Sequence, residues 1–127
     1  LFVADDGVSG EELWEAGVAR TGLRADIHPG PGSSSPRELT SLSGHVLFAA
    51  TDGANGREPF YTRAGAVVSA GDLDPGFFSS SPAHIVARSE RGSVEFFFAA
   101  SRTGYGAELW KYDVTTGVST LIDDLYP

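Results

Sequence analysis

Residues 47–60, LFAATDGANGREPF, contain the pattern that decides the fold, because closely similar stretches occur three times in the chain. The counterparts are LFVADDGVSGEELW at residues 1–14 and FFFAASRTGYGAELW at residues 96–110. Each copy joins an apolar run ending in alanine to a polar turn and then to Gly-x-Glu-x-aromatic. The recurring positions are Ala4, Ala50 and Ala100; Gly10, Gly56 and Gly106; Glu12, Glu58 and Glu108; and Trp14, Phe60 and Trp110. Internal repetition at a spacing of this size is typical of repeat architectures.

The similarity continues beyond the aromatic residue of each copy. Asp26 and Asp72 each begin an Asp-x-x-Pro-Gly segment, and Ser-Ser-Ser-Pro follows at residues 33–36 and 79–82. Asp124 begins the third Asp-x-x-Pro. The chain therefore holds about 2.7 copies of a unit of 46–50 residues. We expect it to be a piece of a larger repeat protein that begins and ends within a unit.

Each unit is predicted to contain four short strands. In the middle unit these are strand A at residues 36–43, strand B at 45–50, strand C at 58–62 and strand D at 66–70. An aromatic and β-branched run followed by Asp-Gly favours a hairpin, and no helical period is present.

Four strands per unit predict an all-β chain of β-propeller blades in an incomplete ring, because stacked blades bury both faces of each sheet. The predicted domains are a partial first blade at 1–30 (strands B to D), a second blade at 31–76 and a third at 77–127. The aromatic positions Trp14, Phe60 and Trp110 should be buried between blades. A β-sandwich and an open β-solenoid are the alternatives.

The segments GEELW, GREPF and GAELW, each followed by Asp-x-x-Pro, resemble the bacterial ELWxxDGT tandem-repeat family. The resemblance covers nearly the whole chain, although only Lys111–Asp113 approaches the polar pair and aspartate that follow the tryptophan in the family pattern. It implies propeller-like repeats in a large secreted or surface protein, hence an extracellular or cell-surface location. It supplies no catalytic signature.

Composition excludes several other classes of protein. The 127 residues carry a formal net charge of −8 and include no cysteine. Disulfide frameworks and thiolate metal sites are thereby excluded, and the charge argues against a nucleic-acid partner. The strongly apolar run at residues 96–100 is too short for membrane insertion. No nucleophile elbow is present and the histidines do not recur, so we expect no enzyme activity.

Four carboxylates in the first unit are compatible with a calcium loop, since calcium prefers oxygen ligands. They are Asp5, Asp6, Glu11 and Glu12. The second unit has Thr51 in place of the first of these and Arg57 in place of the third. A hairpin turn is therefore the preferred interpretation, with a weak calcium site as the alternative and no other cofactor expected.

The acids that persist in every unit are interpreted as structural. Glu12, Glu58 and Glu108 should accept backbone hydrogen bonds from their own turn or from the next blade. Asp26, Asp72 and Asp124 should cap the turns that precede the prolines. Alternatively, the three aspartates line one mouth of the propeller and bind a cation.

Four aromatic residues are not fixed by the repeat, and they are the candidates for ligand binding: Phe77, Phe78, Tyr61 and Tyr105. Loop aromatics stack on sugars or anchor protein partners, and they also pack beneath loops. We expect a non-enzymatic scaffold or binding module, with a lectin-like propeller and a non-catalytic part of a larger enzyme as alternatives. Expected partners are further blades of the parent chain or other copies of this chain, and a protein or glycan ligand.

Overall fold

The computed structural model describes residues 1–125, and its only regular secondary structure is the β-strand. Tyr126 and Pro127, at the end of the predicted third blade, lie outside the described residues. The all-β prediction is confirmed. The strands are β1 (Phe2–Asp5), β2 (Glu11–Ala16), β3 (Thr21–Ala25), β4 (Arg37–Leu42), β5 (His45–Ala50), β6 (Glu58–Arg63), β7 (Ala66–Ser69), β8 (Ala83–Glu90), β9 (Ser93–Arg102), β10 (Gly106–Asp113) and β11 (Val118–Asp123).

The strands form three antiparallel sheets in which each strand pairs with its neighbour in sequence. The first sheet has the order β1-β2-β3, the second β4-β5-β6-β7, and the third β8-β9-β10-β11. Tight turns explain this order. At Ser43–Gly44, between β4 and β5, both residues have positive φ, 52° and 81°. A turn of this kind matches the twist of the two strands that it joins.

The second and third sheets share one backbone irregularity. The register of β4 against β5 shifts between Arg37 and Thr40, and the same shift occurs at the equivalent position of β8 against β9. Glu38 and His84 lie within these bulges with φ of 60° and 55°. A bulge bends its strand and increases the local twist. The two sheets therefore repeat one geometry as well as one sequence pattern.

The hydrophobic core lies between the sheets. A cluster of Leu13, Phe48, Ala50 and Phe60 fills the space between the first and second sheets. A larger cluster, which includes Leu47, Tyr61, Phe96, Phe98 and Trp110, fills the space between the second and third. Strand β4 lies beside β8, and β3 lies beside β7. Within residues 1–125, the three sheets are thus stacked face to face, with like strands of successive sheets side by side. They form an open array that does not close into a ring.

The part of the chain that the structure describes contains no helix long and apolar enough to cross a membrane.

Candidate functional site: repeated carboxylates and the end faces of the array

The repeated glutamate, at the start of the predicted strand C, binds the segment that connects its sheet to the next one, near both ends of that segment. Glu58 begins β6 and is 2% exposed. Its Oε2 accepts the backbone N–H of Leu73 at 2.8 Å and the hydroxyl of Ser80 at 2.6 Å. Its Oε1 accepts the backbone N–H of Ser80 at 2.8 Å. Leu73 and Ser80 both lie in the segment between β7 and β8, so one carboxylate anchors this segment to the sheet that it leaves.

The first unit repeats this arrangement. Glu12 accepts the backbone N–H of Ile27 at 3.0 Å and that of His28 at 3.2 Å. Ser34 donates its N–H at 2.9 Å and its hydroxyl at 2.6 Å. In the third unit Glu108 Oε2 accepts the N–H of Leu125, the counterpart of Leu73. The three persistent glutamates therefore occupy one structural position.

Burial determines the electrostatics of this position. Removal from water raises the pKa of Glu58, the nearby Asp72 carboxylate raises it further, and the hydrogen bonds from Ser80 and Leu73 oppose the rise. Burying an ionised carboxylate is costly unless hydrogen bonds replace its water. The three donors provide this replacement.

A close approach of two backbones explains the glycine two residues before the glutamate. A Cβ on Gly56 would collide with the carbonyl oxygen of Phe78, and a Cβ on Gly10 would collide with that of Gly32. Only glycine lets the connecting segment pass at this distance. Beside Gly106 the nearest described atom to such a Cβ is Glu108 Oε1, at 3.8 Å.

A second contact ties each connection to the next sheet. Asp74 is buried and accepts hydrogen bonds from Thr103, at 3.0 Å to the backbone N–H and 2.8 Å to the hydroxyl. His28, at the equivalent position of the first unit, lies against Gly53 in the corresponding turn of the second sheet. Different side chains thus make the same link between units.

The repeated aspartates lie at the turns that follow strand D. Asp26 Oδ2 accepts the N–H of Gly30 at 3.2 Å, and Asp72 Oδ2 accepts that of Gly76 at 3.3 Å. Asp124 Oδ1 is buried and makes no hydrogen bond to the described residues. Asp26 and Asp72 belong to separate turns, and the segment after Asp124 continues into Tyr126 and Pro127, outside the described residues. Across residues 1–125 no group of three acidic or histidine side chains is placed to hold a metal ion.

The four carboxylates considered for calcium do not converge on one point. Asp5 and Asp6 accept backbone N–H groups within their own turn, at residues 7–9. These bonds, first from Ser9 and then from Val8, lower the pKa of Asp6. Glu11 pairs with Arg37, and the fourth carboxylate, that of Glu12, is turned into the interior. The calcium alternative therefore has no ligand set in this geometry.

Two of the four candidate aromatics stand on one loop. Phe77 and Phe78 are 87% and 60% exposed in the segment between β7 and β8. Tyr105 is exposed in the turn between β9 and β10, with the Arg102 guanidinium 5.4 Å from the centre of its ring.

The prediction for Tyr61 as an accessible ligand residue is wrong. Tyr61 lies in β6 and is 2% exposed. Its hydroxyl is 2.5 Å from His45 Nδ1, and its ring lies 5.0 Å from that of Tyr112 in the third sheet. The next sheet covers this residue, so it belongs to the core.

The aromatic repeat position differs between the units. Phe60 and Trp110 are each 8% exposed, and each faces the sheet before its own. Trp14 is only partly buried. The prediction that the aromatic residue is buried between blades is wrong for Trp14, because no sheet of the described residues covers its face. Phe2 and Leu23 are its cross-strand partners and are also exposed. We refer to Phe2, Trp14 and Leu23 as the tryptophan face.

The opposite end of the array carries both apolar and charged groups. Phe97 has Val86 and Lys111 as its cross-strand partners in the third sheet. Glu95 lies 2.5 Å from Arg88 and 2.9 Å from Lys111, and these two bonds, that of Lys111 first, lower its pKa. We call this surface the Phe97 face. It points away from the second sheet, since the flanking Phe96 and Phe98 lie in the cluster that contacts that sheet.

The sequence showed the serines that complete the glutamate site as part of a repeated Ser-Ser-Ser-Pro segment, but their contact with the glutamate was not predicted. A signal was present, because 22 residues separate Glu12 from Ser34 and also Glu58 from Ser80. The chain matches no known family model, no curated protein and no solved structure.

Proposed function

We propose that this chain is a non-enzymatic β-propeller segment that serves as a scaffold or binding module of a secreted or surface bacterial protein. The stacking of sheets supports a propeller, since like strands of successive sheets lie side by side. Thr40 Oγ1 donates to the carbonyl of Ile85 at 3.2 Å between two A strands. Ser119 Oγ donates to the carbonyl of Ala70 at 2.7 Å near the D strands. The compartment follows from the resemblance to the ELWxxDGT repeats.

The single observation that carries the proposal is the tryptophan face. Its counterparts at Phe60 and Trp110 are buried against a neighbouring sheet, whereas Trp14 is not. Exposed apolar patches of this kind mark interaction surfaces. A sheet of the same repeat type is the partner that covers the equivalent face twice within the chain. Further blades of the parent protein, or other copies of this chain, are therefore the proposed partners.

Contact between unlike end faces builds a ring when the rotation between units closes. In this arrangement the tryptophan face of one array meets the Phe97 face of another. Most propellers contain about four to eight blades, so two arrays of three sheets would be enough.

Sedimentation velocity and light scattering on the 127-residue chain test this proposal. We expect association that increases with concentration. A Trp14→Glu variant should remain monomeric, because a carboxylate would then be buried without a partner. Val18→Glu is the matched control: it adds the same charge at a fully exposed turn and should associate like the parent chain. A soluble parent monomer with a cooperative melt would contradict the proposal.

A specific observation favours a ligand-binding role as a second candidate. Phe77 and Phe78 are adjacent and exposed on one loop, where large apolar side chains gain nothing from the core. Aromatic rings of this kind stack on sugars or fill pockets of protein partners. Binding on a glycan array should be lost in a Phe77→Ser/Phe78→Ser variant whose melting temperature is unchanged. Array binding that survives in this variant would contradict the assignment.

A further inference from the structure

The glutamate site of the third sheet has an unused acceptor beside a cavity. Glu108 is 2% exposed, and its Oε1 makes no hydrogen bond to any described residue. The indole N–H of Trp110 and Asp124 Oδ1 are also buried and unpaired. The indole N–H of Trp14 is unpaired as well although Ser34 fills the glutamate site of its unit, so the free Glu108 oxygen is what distinguishes the third unit. A cavity of about 100 Å³ lies between these groups, and Arg102, Tyr105 and Leu121 complete its lining. Buried polar atoms without partners are rare in folded proteins and call for an explanation.

The first two units show what occupies this position. The free oxygen of Glu108 corresponds to Oε1 of Glu12 and Glu58, which accepts the backbone N–H of Ser34 or Ser80 and, in the first unit, that of His28 as well. The other oxygen accepts a backbone N–H of the Asp-x-x-Pro turn in all three units. One half of the glutamate site is therefore filled in the third unit, and the half that receives a serine is open.

The flanking serines add a fixed set of backbone contacts. Ser79 Oγ accepts the N–H of Arg57 at 2.8 Å, and Ser81 donates its N–H to the Arg57 carbonyl at 3.0 Å. Ser33 and Ser35 make the same two bonds with Glu11, at 3.0 Å each. Ala107 is the counterpart of these two residues in the third unit.

Among residues 1–125, none lies on the path that such a segment would follow. At Gly56 the segment passes so close that a Cβ would collide with it. At Gly106 no described residue occupies the same volume, since the nearest described atom is the unpaired Glu108 oxygen at 3.8 Å. The third sheet thus has the acceptor, the backbone edge and the space that the first two sheets use.

We propose that the cavity beside Glu108 is a receptor for a Ser-Ser-Ser-Pro segment of a further repeat unit. The middle serine donates its N–H to Glu108 Oε1 and its hydroxyl to the same carboxylate. The first serine accepts the N–H of Ala107, and the third donates to the Ala107 carbonyl. This inference identifies the contact through which the proposed propeller adds a further repeat unit. It rests on the proposed function only because the occupant is taken to be a repeat unit.

A peptide titration followed by NMR tests the receptor. The probe is GPGSSSPRE, residues 30–38 of this chain, added to the ¹⁵N-labelled 127-residue protein. We expect saturable shifts of the Trp110 indole N–H and of the Ala107 and Glu108 amides. Replacing the middle serine of the peptide by alanine should weaken binding about tenfold or more, because a hydrogen bond to a charged group is lost.

Two glycine variants separate binding from folding. Gly106→Ala places a methyl group where the segment must pass and should abolish the shifts. Gly104→Ala is the matched control, because the φ of Gly104, 88°, is close to the 83° of Gly106, and no described atom lies within 4 Å of where its Cβ would be. It should bind the peptide like the parent chain. Circular dichroism and melting curves establish that both variants are folded.

Several outcomes would overturn the receptor. These are the absence of saturable shifts, equal affinity for the serine and alanine peptides, undiminished binding by folded Gly106→Ala, and shifts at Trp110 produced by an amine or a sugar but not by the peptide. The association assay distinguishes the two proposals. A monomeric chain that binds the peptide contradicts the proposed association and supports the receptor. A chain that associates but does not bind the peptide supports the association and contradicts the receptor.

Discussion

Removing the Ser80 hydroxyl tests the idea that a buried carboxylate holds successive sheets together. In Ser80→Ala the bond of 2.6 Å from Ser80 Oγ to Glu58 Oε2 is lost. The backbone N–H groups of Ser80 and Leu73 keep their bonds to Glu58, each 2.8 Å. The substitution therefore removes one donor of three from a carboxylate that water does not reach.

The expected loss of stability in Ser80→Ala follows from the charge of Glu58 and the burial of Ser80. A hydrogen bond to an ionised group contributes about 1.5–3 kcal/mol, roughly twice a neutral one. Ser80 is fully buried, so no water replaces the lost donor. We expect the free energy of unfolding to fall by about 1.5–3 kcal/mol, which for a domain of this size lowers the melting temperature by roughly 5–10 °C.

Urea unfolding at pH 7, followed by circular dichroism, measures this loss. Ser79→Ala is the comparison on the same loop, because Ser79 is exposed and its hydroxyl only accepts the Arg57 N–H. It should cost less than about 1 kcal/mol. Equal losses for the two variants, or a loss below about 0.5 kcal/mol for Ser80→Ala, would refute the reasoning.

The remaining predictions concern the aromatic position, the buried glutamate and calcium. Trp110→Ala should destabilise the protein by about 3–5 kcal/mol through lost burial and a cavity, and Trp14→Ala by less than half as much in the same urea assay, because Trp14 is partly exposed; equal losses would contradict the assigned faces. Burial raises the pKa of Glu58 above its ordinary 4.5, so the folded state favours the protonated side chain. The stabilisation that this preference gives is fully present below pH 4.5 and is lost as the pH rises through the raised pKa. The stability advantage of the parent chain over Glu58→Gln should therefore shrink between pH 4 and pH 7, and urea titrations that give a constant difference would count against a buried ionising group. Millimolar calcium should leave the melting temperature unchanged, because Asp5 and Asp6 are used by their own turn; a saturable rise abolished by Asp6→Ala would show a specific site.

The strands and turns were predictable from the sequence because local preferences decide them. Strand β5 has the predicted bounds, His45–Ala50, since Gly44 precedes it and Asp-Gly follows it shortly afterwards. The glutamate site was predictable only in part. The persistence of Glu58 indicated a structural acceptor of backbone hydrogen bonds, but no local rule states that a serine 22 residues later reaches it. Contact at that separation depends on how the connecting segment folds back.

The repeat pattern alone determined that the chain forms successive sheets of like strands, because residues with the same spacing favour the same hairpins in every unit. Tertiary structure decided which side chains are accessible. Tyr61 stands where no repeat pattern holds, yet the third sheet buries it. Trp14 belongs to a position that is aromatic in every unit, yet it remains partly exposed. Burial is a property of two facing surfaces, and the sequence of one unit specifies only one of them.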